Sequence, residues 1–219
     1  MDFFGPDLSD FANVRVLNHA WLLRLRETRA GAPLRRGLPP STGSLVDALT
    51  DLQVERLATT PFLLFSVRER DEHCWRELDA PDPNLDLLAG AGQGDDELRT
   101  SAVSFLWQLA ARNPYAARLV SGATLGWCER IAACTLLDVL RAAAGIDDVL
   151  QPRFAHNEDF WRKLLGPGLS SDRQTRHSAH ITCLQWLLTD SPQAGYREIR
   201  SAACANPLPT SSVADKRHC

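Results

Sequence analysis

A chain of 219 residues with 44% hydrophobic and 23% charged residues has ordinary globular composition, which excludes a disordered chain and a coiled-coil rod. Its formal net charge of -3 and pI near 6.1 give no overall attraction for nucleic acid or an anionic membrane surface, so any such binding needs a local basic patch. The opening MDFFGPDLSD lacks a basic region and a long apolar run, and no charge-free stretch approaches the roughly 18 to 20 residues of a membrane span, so a cytoplasmic protein is expected.

The first helical pattern covers residues 9–28, where Phe11, Val14, Leu17, Trp21 and Leu25 recur at three- and four-residue spacing, with Ser9 or Asp10 as the cap. GAPLRRGLPPSTG then reads as a loop leading to a second helix at Ser44, with Asp47 completing a capping box and Leu45, Leu49 and Leu52 on its apolar face. Thr60-Pro61 can start a helix through PFLLFSVRERDEHCWREL, whereas residues 62–67 suit a buried strand equally well. Residues 79–94 read as a Pro, Gly and Asp-rich loop.

Asp95 opens a helix with buried face Leu98, Ala102, Phe105, Leu106 and Leu109, ended by Asn113-Pro114. A short helical turn from Tyr115 to Val120 leads to Gly122 and then to 124–144, apolar on nearly every side and therefore expected to be a central helix, with Asp138 and Arg141 as an internal ion pair. Asn157 caps a short helix with Phe160, Trp161, Leu164 and Leu165, terminated by Gly166-Pro167. Ser171 with Gln174 begins the last helix, through Leu188.

The six tryptophans fall almost one to a helix, as expected of anchors for one shared core. The six cysteines, spread through apolar segments without framework spacing, read as reduced thiols. The fold expected is all-α, an irregular bundle of six to seven helices in a single domain over 1–200, with a flexible tail over 201–219. Trp107, Trp127, Ile131, Leu136 and Val139 are expected in the core.

Chemical motifs are sparse. Gly90, Gly92 and Gly94 resemble a phosphate cradle, but no Lys-Ser/Thr follows and Asp95, Asp96 and Glu97 would repel a phosphate. His177, His180 and Cys183 are spaced by three, yet each step turns about 60° around a helix, so the three do not converge on one ion; no metal or other cofactor is expected. No G-x-S-x-G or other catalytic motif occurs.

The remaining feature is a basic stripe of Arg173, Arg176, His177 and His180, at i, i+3, i+4 and i+7 near a helix N-terminus, where a helix attracts anions. These residues are expected on one accessible face, binding an acidic partner surface or small anion unless Asp172 or Glu158 neutralises them. The function expected is that of a regulatory or accessory protein acting through protein contacts, a homodimer being one form. A helix-turn-helix-like DNA-binding regulator over 157–188 is the alternative, against which the acidic balance and Pro167 in the turn weigh; an enzyme without a readable motif is a third.

Overall fold

The computed structural model describes residues 5–29, 31–78 and 94–189. The described residues form nine α-helices and one two-stranded antiparallel sheet, a mostly helical architecture. Every helix contributes to one continuous cluster of buried apolar side chains. No described helix is long and apolar enough to cross a membrane.

Helix α1 spans Leu8–Glu27 and starts two to three residues earlier than a cap at Ser9 or Asp10 would place it: Asp7 is the cap, and Asp10 closes a capping box with it. Its inward face is Val14, Leu17, Trp21, Leu22 and Leu25, while Phe11 lies outside, 37% exposed. Helix α2, Pro40–Asp47, begins within the proline-rich segment because Pro40 occupies the first turn, where a missing N–H costs nothing. Ser44 is interior to it and Asp47 binds Arg35, so neither forms the expected capping box. Thr50 and Gln53 form one instead, opening α3, Asp51–Ala58. Leu45 and Leu52 consequently face solvent and Val46, Val54 and Leu57 face the core.

No α-helix follows Pro61 through Leu78, and the only helical piece there is a 3-10 turn at Arg76–Leu78. Residues 62–67 are non-helical and buried nearly throughout, and include the short strand β1, Phe65–Ser66, paired with β2, Gln151–Pro152. Distant side chains decide this conformation. Asn18 Nδ2 donates to the Phe62 carbonyl at 2.9 Å and its Oδ1 accepts from Leu64 N at 2.9 Å. Arg153 donates to the carbonyls of Leu63 and Phe65 and to Glu69 Oε1, whose other oxygen accepts from Val67 N. A backbone whose polar groups are met this way loses nothing by forgoing helical hydrogen bonds.

Helix α4, Gly94–Arg112, carries Leu98, Ala102, Phe105, Leu106 and Leu109 on its buried face, as the pattern requires. It packs against α1, α5, α6 and α7 and is the central helix of the bundle. Asn113 caps α5, Pro114–Ser121, which ends at Gly122 in the left-handed region, φ 67°, close against Leu187.

The apolar run 124–144 is two helices, α6 at Leu125–Ala133 and α7 at Leu136–Ala144, because Thr135 caps a new helix and Trp107 Nε1 donates to the freed Cys134 carbonyl at 2.9 Å. Ile131, Val139 and Trp127 are buried, but Trp107 and Leu136 only half so. Asp138 and Arg141 pair at 3.4 Å on the half-buried side, so theirs is not an internal ion pair. Helix α8, Glu158–Leu165, has the expected Asn157 cap, and α9 spans Arg173–Thr189. Trp21, Trp75 and Trp161 are fully buried, and Trp107 and Trp186 pack against the core from partly buried positions. Cys74, Cys128, Cys134 and Cys183 carry no disulfide. The expected loop 79–94 before its last residue, Gly90 and Gly92, and the tail 201–219 lie outside the described residues.

Candidate functional site

Asp172 sets the start of α9: its carboxylate accepts from Thr175 N at 2.8 Å. The Thr175 hydroxyl beside it, foremost, holds that carboxyl below its ordinary value, with a smaller contribution from Arg176. From this start the four stripe residues do share a side of the helix, but they are not equally accessible. Arg173 and His177 are exposed, and Arg173 has no hydrogen-bond or ion-pair partner among the described residues. Arg176 is half-buried and donates to the Ser170 carbonyl at 2.7 Å. His180 is buried, because the turn Pro167–Leu169 folds over it and the Gly168 carbonyl receives its Nε2–H at 3.2 Å. The accessible stripe is therefore Arg173, Arg176 and His177, and His180 is corrected to a wall residue. Glu158 is engaged with Arg162 at 3.2 Å, so of the two carboxylates proposed to neutralise the stripe only Asp172 stands near it.

One turn further along the same side, His177, His180, Ile181 and Leu184 form a wall of a groove of about 410 Å³. Helix α1 supplies Phe11 opposite, the segment after α3 supplies Thr59, Thr60 and Pro61, and α5 supplies Leu119. Its volume falls within the roughly 300–1,000 Å³ of ordinary binding clefts. Phe11 and Thr59 also line a shallow depression of about 730 Å³ along the outer side of α1, with Leu8, Ala12, Arg15 and Val16. Leu8 is 89% exposed, Val16 67%, and Phe11 and Ile181 each 37%. Leu45, Leu52, Tyr115 and Leu137 are exposed as well but line neither depression.

Polar groups around the groove are mostly committed. The hydroxyls of Thr59 and Thr60 donate to the carbonyls of Arg56 and Leu57. Arg15 and His19 both meet Glu55, at 2.8 and 3.3 Å. At the α9 end Arg173 is a basic side chain without an ion pair among the described residues.

A second depression, of about 670 Å³, is lined by Ser66, Arg68, Glu69, Asp71, Arg153 and neighbours. Two of its residues, Arg68 and Phe154, have positive φ, 57° and 49°, strain of the kind found at functional sites. Its buried charges, however, are spent on each other and on the backbone. Arg153 and Glu69 are 4% and 1% exposed and fully engaged, and Asp71 meets Arg68 at 2.8 Å. Cys74 donates to Asp71, and burial, foremost, pushes its thiol pKa up to about 11, which keeps it protonated and a poor nucleophile. This region reads as a structural clasp.

Among the described residues no three His, Cys, Asp or Glu side chains are gathered to hold a metal ion. In the H-x2-H-x2-C series, His180 has given Nε2 to Gly168, and burial raises the Cys183 thiol pKa to about 12. Phe11, Ile181, Leu184 and Leu119 are absent from the sequence-derived stripe. The signal for them was available only in part: α1 has apolar residues on two sides, Leu8 and Val16 besides its buried row. No family model matches the chain, and comparison with curated proteins and with solved structures finds no match.

Proposed function

We propose that the protein is an accessory or regulatory module that acts by docking an amphipathic, acidic helix of a partner protein in the groove between α1 and α9. The observation that carries this is the exposed apolar group Leu8, Phe11, Val16 and Ile181, gathered along one groove and the depression joined to it. Clustered exposed apolar side chains rimmed by polar residues mark interaction sites, whereas single ones do not. Amphipathic helices enter such grooves through residues at i, i+3, i+4 and i+7. Charge complementarity selects the acidic character: His177 lines the groove with Ile181, Arg173 stands one turn before His177 on the same side of α9, and Arg173 has no ion pair among the described residues. Rim charges of this sort govern association rate and specificity more than final affinity.

The test uses a fluorescent amphipathic peptide with Leu and Trp on one face and Glu on the other, beside the same peptide with Lys for Glu. The Glu peptide is expected to bind, to weaken as salt rises, and to weaken in Arg173→Ala and His177→Ala combined. Ile181→Asp should abolish binding of both peptides. Equal binding of the two peptides, or binding indifferent to Ile181→Asp, contradicts the reading.

A further inference from the structure

One atom in the groove wall bears on which residue of a partner enters it. His180 is 4% exposed, yet it lines the groove. The Gly168 carbonyl, 3.2 Å from Nε2, can only accept, so Nε2 carries the ring proton and Nδ1 carries the lone pair. Among the described residues Nδ1 has no hydrogen-bond partner. The imidazole does not escape by taking a second proton: burial, foremost, then the charges of Arg176 and His177, hold its pKa at about 4 against the Gly168 hydrogen bond, which raises it. At neutral pH His180, a wall residue of the groove, therefore keeps a lone pair on Nδ1 that meets no partner among the described residues, while the hydroxyl protons of Thr59 and Thr60 are committed to carbonyls of α3.

We propose that the groove selects an aromatic anchor bearing a hydrogen-bond donor, the phenol of a tyrosine or the indole of a tryptophan. The ring lies against Phe11, Leu119, Ile181 and Leu184, and its O–H or N–H donates to His180 Nδ1. The proposal rests on the reading of this groove as a docking site and specifies the chemistry of the side chain that fills it. Aromatic residues with a polar tip are the ones that dominate binding energy at interfaces, because they fill an apolar pocket and satisfy its polar group together.

Titration of the full chain with 4-fluorophenol, 5-fluoroindole and 4-fluorotoluene, followed by fluorine NMR, tests it without any partner protein. Apolar walls alone rank the toluene above the phenol, because a hydroxyl buried without a partner is penalised. A used acceptor reverses that order: at least one of the two donor probes should bind about tenfold more tightly than the toluene. Which donor probe wins distinguishes the tyrosine from the tryptophan anchor. Loss of binding in Ile181→Asp places the probes in the groove. In His180→Gln, which retains an N–H for Gly168 but has no acceptor at the Nδ1 position, the toluene should again bind best. Toluene binding as tightly as both donors to the wild-type chain, or a donor preference surviving in His180→Gln, overturns the anchor and leaves the docking groove standing. No binding by any probe overturns the anchor too, and the peptide titration then decides the groove separately. The wild-type comparison needs no variant, so a folding defect in His180→Gln does not rescue the proposal.

Discussion

Residues 62–67 and the groove at Pro61 are neighbours in the chain, yet they treat their polar groups in opposite ways. Along 62–67 the backbone is met by side chains and by backbone from elsewhere in the chain: Asn18 serves Phe62 and Leu64, Arg153 serves Leu63 and Phe65, Glu69 serves Val67 and Arg153, and Leu63 N donates to the Val120 carbonyl. At the groove His180 Nδ1 has no partner among the described residues, and Phe11 and Ile181 are left 37% exposed. The first region is closed, and nothing remains there for a ligand to satisfy. The second is open, and an incomplete set of contacts is what a partner can complete.

That contrast predicts different responses to substitution. The largest concerns the clasp: Glu69→Ala or Arg153→Ala leaves a buried charge alone and should cost about 3–5 kcal/mol in chemical denaturation. A cost below about 1 kcal/mol would break the comparison, since the region would then not depend on its internal pairing.

Next comes pH. The His180 pKa is lowered in the folded chain from 6.5 to about 4, so between those values the unfolded state binds more protons. Stability should therefore be fully present above about pH 6.5 and fall as pH drops towards 4, by at most about 3 kcal/mol. Asp7, Asp47, Glu55, Asp71 and Asp172 have carboxyl pKa values lowered by their hydrogen bonds, so their losses come at lower pH and leave the window to His180. Urea denaturation across pH 4 to 7 should show a weaker slope in His180→Gln than in wild type; parallel curves would contradict the burial described for His180.

The smallest effect on stability is expected at the groove itself. Phe11→Asp and Ile181→Asp, at side chains 37% exposed, should cost no more than about 2 kcal/mol, while both remove peptide binding. Destabilisation above about 2 kcal/mol would place these residues in the core and sharpen the boundary between the two regions.

Much of the helical framework is legible in the sequence wherever the stop and start signals are local. Asn113-Pro114, Asn157 and Gly166-Pro167 mark real ends, and the three- and four-residue spacing in α4 marks its buried face. Legibility fails where a distant group decides. Residues 62–67 carry no trace of Asn18 and Arg153, which hold them out of a helix, and Thr135 hides a helix start inside an apolar run. The stripe was recognisable from spacing alone, but the burial of His180 depends on the turn Pro167–Leu169 closing over it. The groove needs α1, α5 and α9 brought together, which no single periodicity encodes.

The central claim, that the α1–α9 groove is the surface through which this protein meets its partner, is tested most directly by photocrosslinking in cells of the native host. A photoreactive amino acid replaces Ile181 in one strain and Leu137, exposed on α7, in another. A discrete adduct from position 181, absent from position 137 and lost when Phe11→Asp is added, is the predicted result, with an acidic amphipathic segment at the attachment point. The same adducts from both positions, or none from 181, would contradict the account, and an adduct of twice the chain mass would place a second copy in the groove instead of an acidic partner.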